Sequence, residues 1–189
     1  MGKIIRLGLI LLALTAITGL LLGVVYGITK EPIRKTQERQ KMEALAATLP
    51  GAQNFKTLPV SGGSGVILEI NEGSADGSVL GYNFTVAPKG YAGLIELVVG
   101  ISTDGTIQGI QILKHAETPG LGAKAAEPAF SGQFKGKKAD KLEVVKVPPS
   151  APGQIQAISG ATITSAAVTS GVNEALSYFK AHLSGGQTQ

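Results

Sequence analysis

The residues with the strongest chemical character fall in two short stretches, Glu117-Thr118-Pro119-Gly120-Leu121-Gly122 and Ser159-Gly160-Ala161-Thr162-Ile163-Thr164-Ser165. In the second, four hydroxyl side chains surround a Gly-Ala pair just ahead of an apolar run with helical spacing. Such a segment makes an ordinary helix start, because Ser and Thr can accept bonds from the orphan N–H groups and Gly permits the turn. It also suits a phosphate, which small residues allow to approach those N–H donors and the positive end of the helix dipole. The first stretch is, on its own, a Pro-Gly turn after a strand. Nearby, His115 reads as structural. Tyr91 reads as a strand-edge packing residue, with stacking on a ring as the alternative.

Other chemistries are excluded by what the chain lacks. It contains no cysteine, which removes thiolate iron–sulfur ligation, c-type haem attachment, a disulfide framework and cysteine acylation. No G-x-G-x-x-G joins a strand to a helix and no Walker motif occurs, so nicotinamide and nucleoside triphosphates are expected to bind elsewhere. No acid–base dyad, metal cluster or nucleophile triad of the usual kinds is evident. The net charge of +4 comes without aromatic-rich basic stripes, and no nucleic acid partner is expected.

The elements that must hold these stretches follow from periodicity and punctuation. Residues 7 to 29 carry no charge, and at about 1.5 Å per residue they are long enough to cross a hydrocarbon core of roughly 30 Å. The run exceeds the usual signal-peptide h-region of about 7 to 15 residues and has no clean small-x-small site after it, so it reads as a retained anchor. Glu31 to Leu49 is rich in helix formers and stops at Pro50-Gly51, with Pro32 near its start; it reads as a stalk. The expected organisation is a basic tail over residues 1–6, a transmembrane helix over 7–29, a helical stalk over 30–50 and a domain over 51–189.

Within that domain, Ser61 to Gly65 reads as a flexible turn, and strands are expected at Val66 to Ile70 and Val79 to Val86 around an Asp76-Gly77 turn. Ile95, Leu97, Val99 and Ile101 alternate on one face, Asp104-Gly105 turns, and Thr106 to Leu113 returns as a hairpin. A short helix is expected from Ala123 to about Phe130, and a strand at Leu142 to Val147. A helix then runs from Ile163 to Leu183, since Val168, Val172, Ala175, Leu176 and Phe179 recur every three or four residues. Residues 184–189 read as a polar tail. The fold class is α+β: an N-terminal transmembrane helix and stalk, then an antiparallel sheet packed by a C-terminal helix.

The motif S-G-A-T-x-T at Ser159 to Thr164 resembles the flavinylation motif of the FMN-binding domain family, found in the G subunit of Rnf electron-transport complexes and the C subunit of the sodium-pumping NADH:quinone reductase. The resemblance extends in the family's order through Lys89-Gly90-Tyr91-Ala92-Gly93, Glu117 to Gly122 and Ser159 to Ser165. It implies FMN joined as a phosphoester to Thr162, with Thr164 and Ser165 as caps or phosphate donors beside Ser159, Gly160 and Ala161. It further implies that Glu117, Thr118 and Leu121 contact the isoalloxazine, with Gly120 and Gly122 allowing backbone approach. The family often has an acidic residue six positions before the modified threonine, associated with recognition by the flavin transferase; here that residue is Gln156.

The function that the resemblance implies is electron relay by a membrane-anchored flavoprotein subunit of an Rnf-type ion-translocating ferredoxin:NAD oxidoreductase. Its expected partners are the other membrane subunits of such a complex, with a flavin transferase for maturation. The alternatives are a free-standing extracytoplasmic flavin carrier and a non-redox anchored scaffold. Orientation is contested: Lys30, Arg34, Lys35, Arg39 and Lys41 after the span would keep the domain in the cytoplasm by a positive-inside count. The resemblance implies the reverse, a single pass through the inner membrane with the domain outside the cytoplasm.

Overall fold

A computed structural model describes residues 2–62, 65–138 and 140–184. Part of the expected turn at Ser61 to Gly65 (residues 63 and 64) and nearly all of the expected polar tail (residues 185–189) lie outside the described residues. The chain divides into two compact units, Met1–Lys41 and Met42–Gln189.

The first unit consists of helix α1, which spans Gly2–Thr48 and so continues into the second unit. Its most apolar 18-residue window has a mean hydropathy of 2.5 and no buried residue, which fits a single-pass membrane anchor. Pro32, expected near a helix start, lies within the helix instead. Proline has a helical φ and removes only one N–H donor, so a long helix with good formers on both sides can continue through it.

The second unit is built on a five-stranded antiparallel meander, β1 (Asn54–Leu58), β2 (Ile67–Ala75), β3 (Ser78–Val86), β4 (Glu96–Ser102) and β5 (Ile107–Lys114), in that spatial order. Asp76 and Gly77 both have positive φ, which closes β2 and β3 with a two-residue hairpin turn. Strand β1 was not expected from the sequence, because Asn-Phe-Lys-Thr-Leu is short and mostly polar and pairs only at the sheet edge. Strand β2 runs five residues past its expected end at Ile70, as far as Ala75. After β5 the expected helix from Ala123 is broken into a 3-10 turn at Gly122–Ala126, a short α2 at Pro128–Ser131 and a second 3-10 turn at Gly132–Phe134. Pro128 explains the break, since its missing N–H is tolerated at the start of a helix and not in its interior. Strand β6 covers only Glu143–Val145, and it pairs in parallel with an unexpected β7 at Gln154–Gln156. Helix α3 then spans Thr162–His182.

The core lies between α3 and one face of the sheet. Val168, Val172, Leu176 and Phe179 of the helix pack with Phe84, Leu97, Val99 and Ile101 of the sheet in one buried cluster, which Phe130, Phe134, Leu142 and Ile155 extend. Burial of each such side chain contributes about 1.5–3 kcal/mol. The alternating face expected at Ile95 to Ile101 is the core face, yet Val98 on the opposite face is also buried, against Ala44 and Leu45. The last turns of α1 cover that second face. A Cβ on Gly100 would run into the carbonyl oxygen of Thr48, so only glycine lets the end of the helix lie this close to β4.

Candidate functional site

The first turn of α3 starts without a side-chain cap. Ala161 is the N-cap residue, and its methyl group cannot accept a hydrogen bond. The first α-helical bond is donated by the Ser165 N–H to the Ala161 carbonyl at 3.0 Å, so the N–H groups of the preceding three residues have no partner within the helix. Ser165 is committed elsewhere: its hydroxyl accepts from the Ile158 N–H at 3.0 Å and donates to the Ala161 carbonyl at 3.0 Å. It folds the Ile158–Ala161 turn against the helix, with Gly160 at φ 76° completing that turn. Thr162, the first residue of α3, is exposed.

Beside this turn the loop after β5 brings in Glu117, which is only 5% exposed. Its carboxylate accepts the Ala92 N–H at 2.9 Å through Oε1 and the Thr164 hydroxyl through Oε2. Burial raises its carboxyl, but the hydrogen bonds from Thr164 and from the Ala92 and Tyr91 N–H groups, with His115 nearby, outweigh that and hold it below the ordinary glutamate range. The Glu117 N–H donates to Nδ1 of His115 at 3.2 Å, which gives that histidine the structural place expected of it. Thr118 begins a tight turn in which its carbonyl accepts from Leu121 and Ala123, both at 3.2 Å. Leu121 then lies over the motif turn, its Cδ2 3.1 Å from where a Gly160 Cβ would stand.

Together these segments enclose an open cavity of about 510 Å³. Of the residues singled out in the sequence, Glu117, Thr118, Leu121, Gly160, Ala161, Thr162 and Thr164 line it, whereas Gly120 and Ser159 do not. Thr164, read as a cap or phosphate donor, is buried with its hydroxyl turned to Glu117. The lining also includes Tyr91, Gly122 and Ile163. Tyr91 is 70% exposed, so the strand-edge packing role read from the sequence does not hold. Its exposure depends on where the β3–β4 connection lies, which no local pattern reveals. Gly122 is a close-approach position, since a Cβ there would stand 2.6 Å from the Glu117 carboxylate and 2.7 Å from the Thr164 hydroxyl. Among the described residues no cluster of His, Cys, Asp or Glu could hold a metal ion.

An open cleft of this size, with an aromatic and two aliphatic side chains on its walls and an uncapped helix start, fits a planar ring bearing a phosphate. Residues 90–177, which contain the whole cavity lining, match the family described as FMN-binding domain, and residues 1–47 match the RnfG N-terminal region. Over 94% of its length the chain is 37% identical to the G subunit of the Na(+)-translocating ferredoxin:NAD(+) oxidoreductase complex of Acetobacterium woodii, covering 92% of that protein. It belongs to the RnfG family. A second member, the G subunit of the proton-translocating ferredoxin:NAD(+) oxidoreductase complex of Clostridium ljungdahlii, is 39% identical over 85% of this chain and 83% of its own. The RnfG fold is shared with the crystal structure of the C subunit of Na(+)-translocating NADH-quinone reductase from Parabacteroides distasonis. That likeness has a TM-score of 0.63 at 22% identity and covers 82% of this chain and 96% of the other. Residues 90–177 of the second unit are therefore an FMN-binding domain, and FMN is its cofactor.

Proposed function

We propose that this chain is the membrane-anchored flavin subunit of an Rnf-type ion-translocating ferredoxin:NAD oxidoreductase, relaying electrons through FMN held as a phosphoester on Thr162. The observation that carries this reading is the cavity at the uncapped start of α3, with the exposed Thr162 on its wall. Thr162 offers the hydroxyl oxygen for the ester, while the Thr164 and Ser165 hydroxyls are engaged with Glu117 and with Ile158 and Ala161. The free N–H groups of the first turn favour the single negative charge of a phosphodiester. Tyr91, Leu121 and Ile163 supply apolar surface for a ring system. FMN, when bound, supplies the electron-transfer chemistry, and the chain's own task is to bind, orient and retain it. An ester bond prevents loss of the flavin, which has most value where free FMN is not supplied.

The partners in this reading are the other membrane subunits of the complex, supported by the names of the relatives, and a flavin transferase that loads Thr162. The domain is placed outside the cytoplasm, across the inner membrane from the N-terminal tail. A flavin fluorescence band that stays with the chain on a denaturing gel supports the ester, and a colourless band contradicts it. For orientation, Ser61→Cys or Ser184→Cys in intact cells should react with an impermeant thiol reagent; labelling only after lysis would place the domain inside.

A further inference from the structure

Glu117 joins three segments that are far apart in sequence. Its Oε1 accepts from Ala92 at the β3–β4 connection, its Oε2 accepts from Thr164 on α3, and its own backbone belongs to the loop after β5. Both neighbouring glycines make room for this carboxylate. A Cβ on Gly90 would stand 2.6 Å from Oε1, and one on Gly122 would stand 2.6 Å from Oε2. Tyr91 follows Gly90 directly, and its side chain has almost no packing of its own, being 70% exposed on the cavity wall. What fixes the Tyr91 ring is therefore its backbone, through the Gly90 N–H bond to the Gly93 carbonyl at 2.7 Å, the Lys89–Leu94 bridge and the Ala92 N–H bond to Glu117 at 2.9 Å.

We propose that Glu117 is a positioning residue: through Ala92 and Thr164 it locks the Tyr91 loop onto the first turn of α3, and so makes the cavity a preformed slot whose Tyr91 wall stacks on a ring tethered at Thr162. The part concerning the ring rests on the flavin reading above; the lock itself does not. Both carboxylate oxygens already accept hydrogen bonds within the chain, so Glu117 acts on the ring chiefly through Tyr91 and through its fixed charge. Hydrogen bonds to a charged acceptor are about twice as strong as neutral ones, which suits a lock that must hold a loop without apolar packing. Thr164 is its counterpart on the helix, and its hydroxyl is needed there as a donor to Glu117.

The test uses the full-length chain purified in detergent, with Glu117→Gln, Thr164→Val, Thr164→Ser and Tyr91→Leu. Stacked tyrosine quenches flavin emission by donating an electron to the excited ring. Emission per covalently bound flavin should therefore rise severalfold in Tyr91→Leu, and both Glu117→Gln and Thr164→Val should move toward that value. Thr164→Ser, which keeps the donor, should return to the wild-type emission. Amide exchange at Ala92 should be about tenfold faster in Glu117→Gln and Thr164→Val, the factor expected for weakening one hydrogen bond to a charged group. A melting temperature lowered equally in Thr164→Val and Thr164→Ser, with Ala92 exchange unchanged in both, would mean that Thr164 serves only packing and would overturn the proposal. If the wild-type chain carries no covalent flavin, the flavin reading fails, and Ala92 exchange alone then decides the lock: faster exchange supports it and unchanged exchange overturns it. Where flavin is present, emission in Glu117→Gln equal to wild type would overturn the positioning role.

Discussion

Two helix ends meet the same sheet, and they are finished in opposite ways. The C-terminal end of α1 is closed: the Thr48 hydroxyl donates to the Ala44 carbonyl at 2.7 Å, the Asn83 amide donates to the Leu45 carbonyl at 3.0 Å, and the Thr48 carbonyl lies against Gly100. The N-terminal end of α3 is open. Its N-cap is an alanine, its two nearest buried hydroxyls point elsewhere, and its first residue borders a cavity. Orphan groups at a helix end are normally satisfied by side chains, water or a ligand. An end satisfied within the chain is part of the architecture. One surrounded by hydroxyls that do not cap it is arranged for something else, and in the function proposed above that is the phosphate of FMN.

The largest effect should come from damaging the closed end. Gly100→Ala puts a methyl group where the Thr48 carbonyl now lies, which should destabilise the domain by about 3 kcal/mol or more through overpacking. Chemical denaturation would measure this, and a variant as stable as wild type would show that the contact between α1 and β4 is looser than described. At the open end the sign should reverse. Ala161→Ser supplies the missing cap and should stabilise the flavin-free protein by about 0.5–2 kcal/mol, while lowering the amount of FMN bound, because the new hydroxyl competes for the same N–H groups. A destabilised Ala161→Ser protein would mean that those groups are not free.

A smaller effect separates the two ends by pH. The Glu117 carboxyl is held below its unfolded value, so its contribution is complete above the unfolded pKa of about 4.3 and is lost as pH falls through that value toward the folded one. The closed end relies on Thr48 and Asn83, which do not titrate. Below about pH 4, then, exchange at Ala92 should accelerate before exchange at Leu49. Glu117→Gln should remove the difference, and simultaneous loosening of both ends would argue against a local role for this carboxylate.

Much of the closed architecture and part of the open site were legible in the sequence, for different reasons. The 3- and 4-residue spacing from Val168 to Phe179 is a direct record of the buried face of α3, and Asp76-Gly77 and Asp104-Gly105 mark their turns because both pairs tolerate positive φ. The second covered face of the sheet was not legible, since Val98 and Gly100 are buried by the end of α1, which is distant in sequence. Strands β1 and β7 escaped because they are short and polar and owe their existence to the neighbours they pair with. At the site, Ser159 to Ser165 and Glu117 to Gly122 stood out through resemblance to a known motif. That Thr164 bonds Glu117, and that Tyr91 faces the cavity, are tertiary facts without a local signature.

Whether Thr162 carries the flavin is decided by intact-mass measurement with peptide mapping. Wild-type chain from membranes should be heavier than its sequence mass by FMN minus water, with the extra mass on the peptide containing Thr162. Thr162→Ala should remove it while leaving a folded, anchored protein, and Thr164→Ala should retain it. Extra mass that persists in Thr162→Ala, or that maps to Thr164, would contradict the assignment.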